Sequence, residues 1–149
     1  RLLEQTYHRY LRTFAEKHGL TDKVRFLGHL SPEEMKRQYL SANVFALPST
    51  IENSPNSLGE AMLLGVPCVA ADVGGVADML EDRREGLVYQ STAPYMLAQK
   101  ILDIFDLAEQ AEALGQAARA HARRTHDPEG NLSQLLSIYQ ELCREEAHG

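Results

Sequence analysis

Two glutamates, Glu52 and Glu60, lie eight residues apart in a polar segment between two apolar runs of the sequence. A carboxylate accepts hydrogen bonds through both of its oxygens, so it can bind two neighbouring hydroxyl groups at once. Ribose and hexoses carry such pairs of hydroxyls. The residue types in this segment therefore suit recognition of a polyhydroxy ligand.

The residues between the two glutamates predict the start of a helix that can bind an anion. We expect Ser54 to cap this helix, Pro55 to be its first residue, and the helix to cover residues 55–64. The backbone N–H groups of Asn56 and Ser57 then have no partner within the helix. Together with the positive end of the helix dipole, such free N–H groups form an anion site.

This arrangement places one carboxylate on each side of the anion site. Glu60 lies about 7.5 Å along the helix axis from Pro55, and helical side chains lean back toward the N-terminus. Glu60 can therefore reach a polar group beside the anion, while Glu52 faces the same space from the preceding loop. A phosphate between two polyhydroxy groups describes a nucleotide-sugar. The alternative is that Glu52 is a solvated loop residue and Glu60 an exposed helix residue.

Short apolar runs alternate with helical patterns along the chain, which predicts a parallel sheet covered by helices. The fold class is therefore α/β with a Rossmann-like open parallel sheet, in which ligands lie outside the carboxyl ends of the strands. We expect strands at residues 24–28, 43–47, 66–71 and 86–89. We expect helices at residues 2–18, 31–41, 55–64 and 76–81, and helical structure beyond residue 92 with breaks near Asp106 and at Asp127-Pro128.

Composition excludes several classes of protein. The chain has 149 residues, 44% hydrophobic and 24% charged, as is typical of one globular domain. The net charge of −6 argues against nucleic acid as a partner, and no run is apolar enough for a transmembrane segment or a signal peptide. Cys68 and Cys143 suit a reducing compartment, and the scattered histidines lack zinc-ligand spacing. We expect a cytoplasmic protein, or one peripheral to a membrane.

An ordered series of blocks resembles the C-terminal, donor-binding domain of GT-B retaining glycosyltransferases, the large group 1 superfamily. The Glu-x7-Glu motif of that family matches Glu52 and Glu60. The resemblance covers nearly the whole chain. The other matching blocks are Val-Arg-Phe-Leu-Gly at residues 24–28, Asn-Val-Phe-Ala-Leu-Pro-Ser at 43–49, Ala-Met-Leu-Leu-Gly-Val-Pro at 61–67, Gly-Gly-Val-Ala-Asp at 74–78 and Glu-Gly-Leu-Val at 85–88.

The resemblance implies a role for each candidate site residue. Glu52 faces the donor sugar near its anomeric carbon and is the candidate catalytic residue. Glu60 accepts hydrogen bonds from the ribose hydroxyls of the nucleotide. The other candidate donor-binding residues are Asn56, Ser57 and Leu58, through their backbone amides, and Gly28 and His29, near the base. For His29 a surface turn without ligand contact is the alternative.

Two departures from the family pattern affect the phosphate site. Family members often carry Phe-Gly where this chain has Ser54-Pro55, so one backbone donor is lost. The family neutralises the phosphates with an Arg and a Lys that would precede Arg1, whereas this sequence has no Lys, Arg or His between Arg37 and Arg83. We therefore interpret residues 1–149 as a partial GT-B C-terminal domain that lacks its first two strands and the N-terminal acceptor domain. We expect it to be inactive alone.

The resemblance implies transfer of a hexose-type sugar from a nucleoside-diphosphate sugar to an acceptor, with retained configuration. It implies no metal ion and no other cofactor, and the sequence has no Asp-x-Asp motif. The expected partners are a nucleotide-sugar and the N-terminal domain. Two alternatives are a non-catalytic interaction or regulatory module on the same fold and a fragment of a GT-B sugar-nucleotide epimerase. An NAD-dependent enzyme is disfavoured because no Gly-x-Gly-x-x-Gly follows a strand.

Two further features receive structural interpretations. Gly74 and Gly75 predict a tight turn beside the cleft, with direct ligand contact as the alternative. The last helix has an apolar face that we expect to be buried, and which in the family packs across the domain interface. If it is uncovered, it would favour self-association. Its members are Leu132, Leu135, Leu136, Ile138, Tyr139 and Leu142.

Overall fold

The computed structural model of the protein describes residues 2–146. The chain divides into two compact units, Arg1–Met35 and Lys36–Gly149, and the boundary falls within the second helix. No helix in the described range is both long enough and apolar enough to cross a membrane.

The first unit begins with helix α1 (Leu2–Lys17), as its apolar spacing predicts. A turn follows in which Gly19 has a φ of +66°, a value that favours glycine. The expected strand at residues 24–28 is wrong, because those residues form no strand. A strand requires ladder hydrogen bonds to a neighbour, and residues 25–28 make no such bond within the described chain. Instead, the Arg12 guanidinium lies 4.9 Å from the centre of the Phe26 ring.

Helix α2 (Pro32–Ser41) begins with the predicted capping interaction. The backbone N–H and the hydroxyl of Ser31 donate to the Glu34 carboxylate at 2.9 and 2.8 Å, and the Glu34 N–H points back at the Ser31 hydroxyl at 3.4 Å. These hydrogen bonds lower the pKa of Glu34, the backbone bond most. The local sequence therefore sets the start of α2.

The second unit contains a three-stranded parallel sheet in the order β1-β2-β3. Its strands are β1 (Phe45–Leu47), β2 (Cys68–Ala71) and β3 (Leu87–Tyr89), inside three of the predicted apolar runs. Phe45 pairs with Cys68, and Val69 pairs with Leu87. Because all three strands run in the same direction, their carboxyl ends lie at one edge of the sheet.

Helices follow each strand and cover both faces of the sheet. One face packs on a core of Cys68 and Ala70 with α3 (Asn56–Leu63) and α6 (Ala108–Thr125). The other face packs Val69 and Ala71 against α5 (Pro94–Asp106). Alternate residues of β2 therefore point into opposite cores, as expected for a central parallel strand. Burial raises the pKa of Cys68 to about 12, consistent with its predicted role as a small core residue. The other helices of this unit are α4 (Val76–Met79) and α7 (Pro128–Glu146).

Helix α7 differs from expectation, because its apolar face is exposed. The six predicted core residues have between 48% and 59% of their surface accessible. The α-helical pattern is correct, but among the described residues α7 makes no extensive contact with another helix or strand. The periodicity predicted the helix and its apolar face correctly, and it could not supply the surface that covers this face.

A buried carboxylate connects the loop before β3 to α6. Glu85 is 6% exposed, accepts the Glu81 N–H at 3.0 Å, and lies 2.7 Å from His121 Nδ1. Burial raises the pKa of Glu85, but the hydrogen bonds from His121 and Glu81 and the nearby positive charges outweigh it, so the net pKa is lowered.

This lowered pKa predicts a specific pH dependence of stability. Ionised Glu85 stabilises the fold above its unfolded-state pKa, and this contribution is lost as pH falls through the lower folded-state pKa. Between about pH 5.5 and pH 3.5, the free energy of urea unfolding should therefore fall more for the wild type than for Glu85→Gln. Glu109→Gln, at an exposed position of α6, is the control for the lost charge. Equal pH slopes for wild type and Glu85→Gln would contradict the assignment.

Candidate functional site

The segment with the two glutamates lies at the carboxyl edge of the sheet, as predicted. β1 ends at Leu47, and a loop then leads into α3. The neighbouring strand β2 ends at Ala71 and leads into the turn at Gly74 and Gly75. The loop after β1 and the turn after β2 therefore emerge side by side from paired strands.

Helix α3 is held by its buried face. Leu58, Ala61 and Met62 are at most 1% exposed and belong to the core that includes α6. Gly115 of α6 allows this close packing, since a Cβ there would overlap the carbonyl oxygen of Gly65 just beyond α3. Packing on one side leaves the opposite side of α3, with Glu60, exposed.

The start of α3 differs by one residue from the prediction. Pro55 is the N-cap, with extended backbone angles of φ −71° and ψ 106°, and no side chain caps the helix. The expected Ser54 cap is therefore wrong: its hydroxyl lies 3.8 Å from the Met79 sulfur. Proline has no backbone N–H to donate, and its ring fixes φ near the observed −71°. The extended ψ of 106° places Pro55 just outside the helix, at the N-cap.

The first turn of α3 presents two free backbone donors. The N–H groups of Asn56 and Ser57 have no hydrogen-bond partner among the described residues. The Leu58 N–H instead donates to the Pro55 carbonyl at 3.0 Å. Two amides at the positive end of α3 are therefore available to an anion, while the Leu58 amide is already engaged.

Glu52 is held by a hydroxyl close to it in sequence. The Ser49 hydroxyl donates to Glu52 Oε1 at 2.6 Å, and both residues are partly buried. In the described structure Glu52 Oε2 accepts no hydrogen bond from the protein. The carboxylate therefore has one oxygen fixed by Ser49 and one available to a ligand.

Glu60 is held by a hydroxyl that lies far from it in sequence. The Tyr39 hydroxyl lies 3.3 Å from Glu60 Oε2 and 3.2 Å from the carbonyl oxygen of Ser57, so it can donate to either. Over residues 2–146, Glu60 Oε1 has no partner. Both carboxylates of the Glu-x7-Glu motif thus carry one hydroxyl donor and leave one oxygen unoccupied.

The glycine turn after β2 packs on the backbone of the Glu52 loop. A Cβ at Gly74 would overlap the carbonyl oxygen of Glu52, and a Cβ at Gly75 would overlap that of Asn53. Gly74 also has a φ of +50°, in the left-handed region. The tight turn predicted from sequence is therefore present, and it touches the loop that carries Glu52.

The remaining predicted site residues lie in the first unit. Gly28 has a φ of +70°, and His29 is exposed in the segment before α2. Their assignment to the nucleotide base stays a prediction. Across the described chain, no group of three or more His, Cys, Asp and Glu residues could hold a metal ion.

Sequence reasoning missed the two hydroxyl donors. Ser49 lies three residues before Glu52 in the same loop, and this short spacing was a usable signal. Tyr39 lies 21 residues before Glu60, so no local pattern connects them.

Comparisons with known proteins identify the family and the fold of the chain. The family model "Glycosyl transferases group 1" matches residues 4–121. D-inositol 3-phosphate glycosyltransferase of Corynebacterium efficiens is 32% identical over 138 residues, which are 93% of this chain and 32% of that protein. This chain therefore spans about a third of the length of that curated relative.

Solved structures show the same fold. Sucrose-phosphate synthase from Thermosynechococcus elongatus superimposes with a TM-score of 0.84 at 27% identity, covering 92% of this chain and 34% of that one. The Anabaena protein HepE, in complex with UDP, gives a TM-score of 0.83 at 25% identity, covering 91% of this chain and 38% of that one. The expected fold class, an open parallel sheet of the GT-B C-terminal type, is confirmed. The chain belongs to the family of group 1 glycosyl transferases.

Proposed function

We propose that this chain forms the nucleotide-sugar-binding part of a retaining glycosyltransferase that transfers a hexose from a nucleoside-diphosphate sugar to an acceptor. The observation that carries the proposal is the site at the start of α3. There, the first turn of α3 has two free amides, those of Asn56 and Ser57. Glu60 in α3 and Glu52 in the preceding loop each have one carboxylate oxygen without a partner among the described residues. An anion flanked by hydroxyl groups on both sides fits this set of donors and acceptors.

The three parts of the donor are assigned to three parts of the site. The diphosphate faces the amides of Asn56 and Ser57, the ribose hydroxyls donate to Glu60, and the sugar hydroxyls donate to Glu52. Gly28 and His29 are further proposed contacts, near the base. The predicted contact of the Leu58 amide is withdrawn, because this N–H donates to the Pro55 carbonyl. HepE bound to UDP, and the D-inositol 3-phosphate glycosyltransferases, support a nucleotide-sugar as ligand.

The transferred sugar passes through a transition state with positive charge at the anomeric carbon and growing negative charge on the diphosphate. The bond from the anomeric carbon to the diphosphate oxygen breaks, and a bond to the acceptor oxygen forms on the same face of the sugar. The acceptor hydroxyl loses its proton to the departing diphosphate, which balances the charge that develops there. The amides and dipole of α3 stabilise the leaving diphosphate. The Glu52 carboxylate orients the sugar and stabilises its positive charge. No metal ion or other cofactor is needed in this proposal.

The phosphates also need positive charges, and the part of the sequence around the two glutamates contains none. No Lys, Arg or His occurs between Arg37 and Arg83, whereas Glu52, Glu60 and Asp72 do. Two amides neutralise only part of a diphosphate charge. We therefore propose that an N-terminal GT-B domain and the first strands of this domain supply the cations and the acceptor site. The proposed place of action is the cytoplasm or a membrane periphery.

A test of the function is donor cleavage. The experiment uses the longest natural polypeptide that contains residues 1–149, because the proposed cations and acceptor site lie outside them. We expect release of the nucleoside diphosphate from one of UDP-glucose, GDP-mannose or ADP-glucose, and a first-formed product with the anomeric configuration of the donor by proton NMR. An inverted product would overturn the retaining mechanism. The 149-residue chain alone should release none.

The missing cations also favour a second candidate, a non-catalytic interaction or regulatory module on the same fold. This candidate predicts no donor cleavage by the longer polypeptide at any donor concentration. Cleavage that disappears in Glu52→Ala would rule it out.

A further inference from the structure

The Tyr39 hydroxyl lies where α2 meets the first turn of α3. It is 3.3 Å from the carboxylate of Glu60 and 3.2 Å from the carbonyl oxygen of Ser57. Ser57 also provides one of the two free amides of the anion site. One partly buried hydroxyl therefore contacts both the residue proposed to bind the ribose and the turn proposed to bind the phosphates.

The position of Tyr39 is fixed by packing. Its side chain is 6% exposed and meets the Phe45 ring of β1 edge-on, with 5.6 Å between centroids and an interplanar angle of 62°. Burial, followed by the negative charge of Glu60 and the hydrogen bond to it, raises the pKa of Tyr39 to about 12. The hydroxyl therefore keeps its proton and remains a donor throughout the neutral range.

We propose that Tyr39 is a positioning residue, which holds the exposed carboxylate of Glu60 in the orientation that accepts hydrogen bonds from the ribose hydroxyls. This inference rests on the proposed function. An exposed glutamate samples several rotamers, and fixing them on ligand binding costs affinity. Tyr39 fixes Oε2 before the ligand arrives, so Oε1 and the second lone pair of Oε2 face the nucleotide in a preorganised geometry.

The proposal predicts an effect on one part of the ligand. Losing the hydroxyl of Tyr39 should weaken recognition of the ribose hydroxyls more than recognition of the phosphates. A purely structural tyrosine would instead alter the affinity for all nucleotides to a similar extent. Selectivity between a ribonucleotide and its 2′-deoxy form separates the two roles.

The test is calorimetric titration of the longest natural polypeptide that contains this chain. UDP, GDP and ADP are tested first, and the tightest binder is compared with its 2′-deoxy form. We expect the wild type to prefer the ribonucleotide by about 10- to 100-fold, the range for hydrogen bonds to a charged group. Tyr39→Phe, which keeps the ring, should reduce this preference by about three- to tenfold.

Two further variants sharpen the test. Tyr89→Phe removes the hydroxyl of another buried tyrosine, and this hydroxyl makes no hydrogen bond to Glu52 or Glu60. It should leave the preference unchanged within about twofold. In a Glu60→Gln background, adding Tyr39→Phe should change the preference by less than about twofold, since the two residues act through one contact.

The outcomes separate this inference from the function on which it rests. If the wild type binds no nucleoside diphosphate, the proposed function fails and Tyr39 loses its role with it. If the wild type binds with ribose selectivity and Tyr39→Phe keeps that selectivity, only the positioning role of Tyr39 is overturned.

Discussion

Replacing Glu52 by Gln is expected to lower kcat/KM for sugar transfer by about 100- to 1,000-fold, or about 3–4 kcal/mol of transition-state stabilisation. Gln has nearly the same shape and can still accept the Ser49 hydrogen bond, but it carries no charge. The loss therefore measures what the carboxylate contributes when positive charge develops on the sugar. Steady-state kinetics with the nucleotide-sugar that the protein cleaves gives the value.

The location of Glu52 predicts which property stays unchanged. In the proposed site Glu52 faces the sugar and the amides of Asn56 and Ser57 face the phosphates. Glu52→Gln should therefore bind free nucleoside diphosphate within about threefold of wild type. Glu109→Gln, at an exposed position of α6, is the control for the loss of one negative charge. Activity of Glu52→Gln within tenfold of the control would contradict a catalytic role.

Gly74→Ala is expected to destabilise the protein by about 2–5 kcal/mol. Two effects add at this position: a φ of +50°, which L-residues rarely adopt, and the overlap of a Cβ with the Glu52 carbonyl oxygen. The new methyl group must displace the loop that carries Glu52, so activity should fall together with stability. Urea unfolding of the chain measures the loss of stability.

Two matched variants separate strain from overlap. Gly19 has a φ of +66° with open space around its Cβ position, so Gly19→Ala should cost only the strain, about 1–2 kcal/mol. Gly75 has an ordinary φ of −80° but would overlap the Asn53 carbonyl, so Gly75→Ala should cost only the overlap, about 1–3 kcal/mol. If Gly74→Ala costs no more than Gly19→Ala, the turn does not support the Glu52 loop.

The parts of the fold that were predicted correctly depend on local rules or on strong patterns. The start of α2 follows from Ser31 and Glu34, whose mutual hydrogen bonds require nothing outside one turn. The strand of residues Cys68–Ala71 follows from a continuous apolar run, which a doubly covered strand requires. The break between α6 and α7 was marked by Asp127-Pro128.

Two of the errors arose where a structure depends on distant partners, and a third arose from local backbone geometry. The apolar run at residues 24–28 satisfies strand propensity, yet the described chain supplies no ladder hydrogen bonds for it. The apolar face of α7 has the right period, but burial depends on a covering surface that periodicity does not contain. At α3, cap propensity favoured Ser54, whereas the extended angles of Pro55 place the helix start one residue later.

The candidate site shows the same division. The position of the segment after a buried strand and the expected helix start predicted Glu52, Glu60 and the free amides of Asn56 and Ser57 at one end of the sheet. The geometry added what spacing could not give, namely the hydroxyl of Tyr39 on Glu60 and the glycine turn against the Glu52 loop. These contacts come from separate elements, and only the fold brings them together.

The most direct test of the proposed site is the NMR chemical shift of the backbone amides of Asn56 and Ser57. It is followed during titration of UDP, GDP or ADP into the longest natural polypeptide that contains this chain. A phosphate bound at the start of α3 must accept hydrogen bonds from these two groups. We predict saturable shifts of both amides that follow the calorimetric binding curve. Nucleotide binding that leaves both amides unshifted would contradict the assignment of the diphosphate to this helix.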